Sequence, residues 1–279
     1  MNLGPLSEHL AQHHLMVPQA ELQIVRDVAT ITFARNEKRN AFDATMSNTV
    51  LDMLDEAETQ NARAVLLRAQ PGAPVWCAGH DLNEFQPNED PCHPADPMFL
   101  LFEKVKQVPM PVIAVLEGDA YAGGVLLLMA ADLVVATEQV RLTMTGNRIG
   151  VSFPAPMYSY WLHILGLHRM KEFFFTSRPM SATEAQTAGI INRVCRPEDL
   201  QATLAELLDA ILANSPEGIA DTKRQLNMIA ATSVLSDREK EIIDDARRKI
   251  YEGNAYAERL AAYRDSLSEK RDEGDPDLC

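Results

Sequence analysis

Between Pro109 and Thr137 the chain reads PMPVIAVLEGDAYAGGVLLLMAADLVVAT, an almost uninterrupted apolar stretch that changes character twice. PMPVIAVLEG carries no alternation of apolar and polar residues, which marks a strand buried on both faces. YAGGVLLLMAADLVVAT then reads as a turn, a helix and a second buried strand, with RLTMT as a short strand beyond it. Strands buried on both faces and alternating with helices point to an α/β core with mostly parallel pairing.

The flanking sequence extends that pattern. ELQIVRDVATITF, from Glu21, reads as a hairpin, and ARNEKRNAF as a polar loop. Asp43 is placed to cap a helix whose apolar positions Met46, Val50, Met53 and Leu54 repeat at helical spacing. RAVLLRA predicts a short buried strand before the turn PGAP. Residues 86–97 are proline-rich and acidic, a loop and a candidate lid, followed by a helix from Met98 to Lys106. After Pro154 the periodicity turns helical. Ser181-Ala-Thr-Glu184 is a capping box before a helix ending at Gly189, and from Pro197 to about Arg271 the pattern is almost purely helical. The expected organisation is a flexible leader over 1–20, a core over 21–196, a helical region over 197–271 and a disordered tail over 272–279, within the polar string SEKRDEGDPDLC.

A chain of 279 residues buries roughly three quarters of its unfolded surface, so it needs neither disulfide staples nor a structural metal. Its 26 basic and 40 acidic residues give a net charge of −14, which speaks against nucleic acid as a partner. No basic cluster suits a membrane surface, and the longest apolar candidate, Ala120 to Ala136, is broken by Asp132. The N-terminus lacks the basic segment of a secretory signal. Cys77, Cys92, Cys195 and Cys279 stand at no metal-ligand spacing and read as free thiols in a reducing cytoplasm. His9, His13 and His14 include an i, i+4 pair, but no carboxylate or cysteine converges on them in sequence. A polar leader is the better reading, and no metal site is expected.

Two segments carry the chemistry. VWCAGHDLNEF, from Val75 to Phe85, is a strand that breaks at Gly79, and EGDAYAGGVL, from Glu117 to Leu126, is a strand end where Gly123-Gly124 open a helix. Each can expose a backbone N–H at the end of an element, and two such donors converging on one point make an oxyanion hole. On spacing alone, the Gly-Gly pair fits a tight turn with close helix–strand packing better.

Taken together and in this order, RNEKRNAFD, WCAGHDLNEF, PMPVIAVLEGDAYAGG, DLVVAT and PMSATEAQTAGIINRV resemble the crotonase (enoyl-CoA hydratase/isomerase) superfamily, from about Leu22 to Arg271. The resemblance implies a crotonase-like spiral of ββα units with a helical C-terminal region. It puts the oxyanion N–H donors at His80 and Gly123, binding the carbonyl of an acyl-CoA thioester. For CoA it implies Lys38 or Arg39 near the phosphates, Ala41 and Phe42 beside the pantetheine, and Ala78, Asp81 and Leu82 along the adenine side. Tyr263, with Lys270 and Arg271, falls where family members serve the adenine of a neighbouring subunit, in trimers or paired trimers. No tightly bound cofactor is implied.

The departures narrow the reaction. Hydratases of this family carry one glutamate three residues after the second oxyanion glycine, here Leu126, and another fourteen residues after the aspartate matched by Asp132, here Gly146. Neither residue moves a proton, so hydration lacks both its agents. Decarboxylation of a malonyl-type thioester needs no general base, and an apolar pocket favours loss of the carboxylate. Tyr121, Val125, Leu126, Met144, Gly146, Ile149, Val151 and Phe153 supply such a pocket. AGHD and the TMT string with Thr145 are closest to the methylmalonyl-CoA decarboxylase branch, which keeps a histidine at the first oxyanion position and a threonine at that of Thr145. That branch has a tyrosine where Phe153 aligns and a glutamate where Leu126 stands. Tyr121 and Tyr158 are candidate replacements for the phenol, though each reads more readily as a packed aromatic.

The expected activity is decarboxylation of methylmalonyl-CoA or a related β-carboxyacyl-CoA. Isomerisation, retro-Claisen cleavage or thioester hydrolysis, with His80 or Asp81 as the polar agent, is the alternative chemistry. A non-catalytic CoA- or RNA-binding relative is the third reading, which the acidic charge opposes for RNA.

Overall fold

The computed structural model describes residues 18–231 and 235–273. Strands β1 (Ala20–Val25) and β2 (Val28–Phe33) pair antiparallel, and Arg26 and Asp27 turn the corner with φ of 48° and 65°. Helix α1 (Ala44–Thr59) starts where the Asp43 carboxylate accepts the Met46 N–H at 2.8 Å, and buries Met46, Val50 and Leu54.

A repeating unit then begins. β3 (Ala64–Ala69) and β4 (Val75–Cys77) are followed by α2 (Pro97–Gln107). β5 (Val112–Leu116) and β6 (Asp119–Tyr121) are followed by α3 (Gly123–Ala130). β7 (Leu133–Thr137) and β8 (Arg141–Thr143) are followed by α4 (Ala155–Leu165) and α5 (Leu167–Thr176). β9 (Met180–Ser181), α6 (Ala182–Ala188) and β10 (Arg193–Cys195) complete the core. Each turn gives its first strand to a six-stranded sheet ordered β1-β2-β3-β5-β7-β10 and its second to a four-stranded sheet ordered β4-β6-β8-β9. From β2 to β7 the large sheet pairs in parallel, as do β4, β6 and β8 in the small one. This is a ββα spiral, the crotonase fold.

β5 and α3 are buried along their whole length, which accounts for their unpatterned apolar sequence. The Ser181–Glu184 capping box forms, and α6 ends at Gly189 with φ 88°. Helices α7 (Leu200–Leu212), α8 (Pro216–Ala230), α9 (Asp237–Glu252) and α10 (Asn254–Glu273) make the C-terminal region. α8 docks through Lys223, whose ammonium lies 2.7 Å from Asp132 and also donates to the carbonyls of Val105 and Met110. Burial pushes the Asp132 carboxyl up and the Lys223 ammonium down, each opposed by the other's charge.

Two boundaries differ from the sequence reading. β1 already begins at Ala20, inside the expected leader. α10 runs to Glu273, taking in the start of the string SEKRDEGDPDLC. Glu, Lys and Arg are strong helix formers, and a helix already docked upstream propagates through them at little cost. His9, His13, His14 and Cys279 lie outside the described residues. Among the described residues, Cys77, Cys92 and Cys195 are free thiols, and no helix is long and apolar enough to cross a membrane.

Candidate active site

After β4 the chain turns through Ala78 and Gly79, the latter at φ 90°, to reach His80. The backbone of Phe42 holds this segment: its N–H donates to the Gly79 carbonyl at 2.7 Å, and its carbonyl accepts the Asp81 N–H at 2.8 Å. His80 lies between these two bonds, and its own N–H is left over. Opposite, β6 ends at Tyr121, and Ala122 turns sharply at φ 41° and ψ −111° while its N–H donates to the Thr143 carbonyl. Gly123 then opens α3, where the first-turn N–H groups have no intrahelical acceptor.

The two segments all but touch. A Cβ added to Gly79 would stand 2.7 Å from the Gly123 nitrogen, and one added to Gly123 would stand 3.1 Å from the His80 nitrogen. Neither the His80 nor the Gly123 N–H donates to a protein acceptor among the described residues. At Gly124 a Cβ would come within 2.4 Å of the Cys77 carbonyl, so α3 lies directly on β4. Gly124 thus serves close packing, while Gly123 offers its amide.

Both amide-bearing residues line a cavity of about 260 Å³. One wall is charged, with Lys38, Arg39, Asp81, Tyr263 and Arg264 beside Ala41, Ala78 and Leu82. The other is apolar, with Leu126, Gly146, Ile149, Val151 and Phe153. Tyr121 and Thr145 also line it. Three expected residues do not. Val125 faces the core, because adjacent residues on a helix point about 100° apart and Leu126 takes the cavity side. Met144 is fully buried while its neighbour Thr145 lines the cavity. Phe42 packs edge-on against Phe33 with ring centroids 5.1 Å apart, so only its backbone serves the site.

Tyr263 lines the cavity of its own chain, rather than reaching only toward a neighbour. The side chains of Lys270 and Arg271 lie outside the described set. Arg264, which sequence reasoning missed, donates from Nε to the Leu82 carbonyl at 3.0 Å and from Nη2 to that of Phe85 at 2.7 Å, fastening α10 over the site. Met98, Phe99 and Phe102 of α2 also line the cavity, and their helical spacing was the only signal in sequence. The proline-rich loop is pinned as well. Arg247 of α9 grips the Asp90 carboxylate through both oxygens, at 3.1 and 2.9 Å, and gives its Nε–H to the Ser152 carbonyl.

The protic groups on the walls are mostly committed. The Arg35 guanidinium binds Asp81 at 3.0 Å and Asp43 at 2.8 Å. Burial alone would raise the Asp81 carboxyl, but the Asn83 N–H and Arg35 outweigh it and hold the group below the usual carboxylate range. Asp81 is therefore a held anion that closes the turn at Asn83, and a poor base. The Tyr121 hydroxyl donates to Asp119 at 3.2 Å, with Arg39 over its ring. Tyr158 accepts the Phe153 N–H and packs against Phe153 and Phe174, away from the cavity. Burial pushes the Cys92 thiol far up. Thr145 is buried as a residue and lines the cavity, and its hydroxyl makes no protein hydrogen bond among the described residues. Within the same set, no group of three or more His, Cys, Asp and Glu is placed to hold a metal ion.

Residues 23–262 match the enoyl-CoA hydratase/isomerase family model. The methylmalonyl-CoA decarboxylase of Escherichia coli (strain K12) is 28% identical over 240 residues, which cover 86% of this chain and 92% of that protein. 4-chlorobenzoyl coenzyme A dehalogenase-2 of Arthrobacter sp is 28% identical over 214 residues, 73% of this chain and 74% of the relative. A crystal structure of methylmalonyl-CoA decarboxylase complexed with 2S-carboxypropyl-CoA superposes with a TM-score of 0.86 at 27% identity, covering 89% of this chain and 96% of that one.

Proposed function

The chain belongs to the enoyl-CoA hydratase/isomerase family, the crotonase superfamily, and within it we propose that it decarboxylates methylmalonyl-CoA or a similar β-carboxyacyl-CoA. One observation carries this reading: two unpartnered N–H groups, of His80 and Gly123, meet at a cavity whose other wall holds Leu126 and Gly146 in place of proton-moving carboxylates. The thioester oxygen sits between the two amides. The C–C bond to the carboxylate breaks, carbon dioxide leaves, and the electron pair passes to that oxygen as an enolate. A single donor of this kind is worth about 3–4 kcal/mol in the transition state. The apolar wall solvates the departing carboxylate poorly and the neutral product well. Thr145, with its free hydroxyl, orients the carboxylate.

The charged wall takes the CoA. Lys38 and Arg39 meet the phosphates, and Ala41, Ala78 and Leu82 border the pantetheine and adenine, with Tyr263 closing over the nucleotide. The relatives that decarboxylate methylmalonyl-CoA, one of them complexed with a carboxypropyl-CoA, support this choice. Exposed Leu226, Met228 and Ile229 on α8 support a trimer or paired trimers, which light scattering tests.

The test of the activity is to offer the pure protein malonyl-, methylmalonyl- and crotonyl-CoA and read the thioesters by mass spectrometry. Acetyl- or propionyl-CoA with carbon dioxide is the expected outcome. Hydroxybutyryl-CoA from crotonyl-CoA overturns it.

A further inference from the structure

An enolate left by decarboxylation must take a proton on its α-carbon, and the apolar wall has none to give. Among the other protic groups lining the cavity, Asp81 is held by Arg35, the Tyr121 hydroxyl is given to Asp119, burial pushes the Cys92 thiol away from release, Thr145 offers only a neutral alcohol, and Lys38 is assigned to the CoA phosphates. His80 is different. The residue lines the catalytic cavity and also a second cavity of about 270 Å³, which Glu84, Glu89, Asp90, His93 and Asp96 line. Nε2 lies 3.5 Å from a carboxylate oxygen of Glu84 and 3.5 Å from one of Asp96. Phe85 holds the ring edge-on at 4.7 Å between centroids. Nδ1 has no protein partner among the described residues.

Both carboxylates are themselves fixed. Glu84 accepts the Ala44 N–H at the start of α1, at 3.0 Å to each oxygen, and Asp96 accepts the Met98 N–H at the start of α2 at 2.9 Å. A ring carrying two protons therefore meets rigid counter-charges on its Nε2 side and presents its other N–H unpaired. The same residue's backbone amide faces the thioester oxygen, so the side chain leaves from a point beside the reacting atoms.

We propose that the His80 imidazolium is the acid that quenches the enolate. This rests on the decarboxylase reading. The Nδ1–H bond breaks, its proton forms the new C–H bond at the α-carbon with the enolate electron pair, directly or across one water, and the thioester carbonyl is restored. The ring remains as neutral imidazole with Nε2–H against Glu84 and Asp96. Solvent returns one proton after product leaves, so each turnover consumes one proton and releases one carbon dioxide.

The experiment uses His80→Gln, which keeps the backbone N–H and removes the transferable proton. In D₂O with methylmalonyl-CoA, the unmodified protein adds deuterium to one face of the α-carbon. The variant keeps both amides and still releases carbon dioxide, but water quenches its enolate and deuterium enters from both faces. Face selectivity intact in the variant, whatever its rate, overturns the proposal. A second measurement stands apart from decarboxylation. Exchange of the α-protons of propionyl-CoA with D₂O runs the protonation backwards, and should occur with the unmodified protein and be lost with His80→Gln. If no malonyl-type thioester is decarboxylated while exchange depends on His80, the decarboxylase reading fails and the role of the ring stands. Should His80→Gln fail to fold, Glu84→Gln with Asp96→Asn keeps both helix caps but strips the counter-charges. That pair should slow exchange about tenfold, and an undiminished rate contradicts the proposal.

Discussion

The two walls of the cavity solve different problems with different parts of the chain. On the charged wall, side chains do the work: Asp81 is held from behind by the buried Arg35, Arg39 lies over Tyr121, and Arg264 reaches the carbonyls of Leu82 and Phe85. On the apolar wall, Leu126 and the residues from Gly146 to Phe153 bring no charge to the cavity. The two free amides that also border the cavity come from backbone. Under the proposed function, the comparison teaches that charge is kept for holding the substrate and fixed backbone dipoles stand where charge develops. Such dipoles cost no reorganisation during the reaction and cannot act as bases.

The largest effect should follow from removing one of those dipoles. Gly123→Pro deletes the N–H at a helix position that otherwise tolerates proline, and kcat should fall by about 10²–10³-fold. Ala122, at φ 41°, must shift to precede a proline, so circular dichroism accompanies the kinetics. A folded variant with near-normal turnover breaks the assignment.

Next comes the apolar wall. Gly146→Glu places a charge beside Ile149, Val151 and Phe153, and decarboxylation should drop by about 10–10²-fold because an unpaired carboxylate resists burial. Adding Leu126→Glu should bring measurable crotonyl-CoA hydration. At position 146 the new Cβ would stand 3.2 Å from the Phe153 ring, so that ring must give way first. Faster decarboxylation in the single variant would contradict the reading of this wall.

Holding the proline-rich loop should matter less. Arg247→Ala removes both bonds to Asp90 and the bond to Ser152. KM should rise several-fold with kcat little changed, and the thermal midpoint should fall, since a half-buried carboxylate loses its partner. An unchanged KM separates this loop from substrate binding.

The smallest effect concerns Asp81. Its folded-state pKa lies below the unfolded value, so its stabilisation is complete above the ordinary carboxylate range and is lost as pH falls through the lowered value. Asp81→Asn should therefore be less stable than the unmodified protein at neutral pH, and the two should converge under acid. Parallel acid-unfolding curves contradict the ion pair.

What the sequence made legible was local. The apolar stretch through β5, α3 and β7, the Asp43 cap and the Ser181 capping box can each be read from neighbours a few residues away. Tertiary contacts at long range could not be read. Nothing near Asp90 announces Arg247, and nothing near Leu82 announces Arg264, because those bonds span 157 and 182 residues. The choice between Val125 and Leu126 was hidden for another reason. A helix apolar on every side carries no periodic signal of which face meets the cavity. Gly123-Gly124 shows the same limit, since one dipeptide serves packing at its second residue and leaves the amide of its first unpaired.

The central claim is that a thioester oxygen is held by the His80 and Gly123 amides. Its most direct test is the infrared band of a ¹³C-labelled thioester carbonyl in bound crotonyl-CoA, which should bind without reacting. Two hydrogen bonds polarise the carbonyl, so the band should move to lower frequency on binding and return most of the way in Gly123→Pro. A band that stays at its solution frequency in the unmodified protein, with crotonyl-CoA fully bound, would contradict the account.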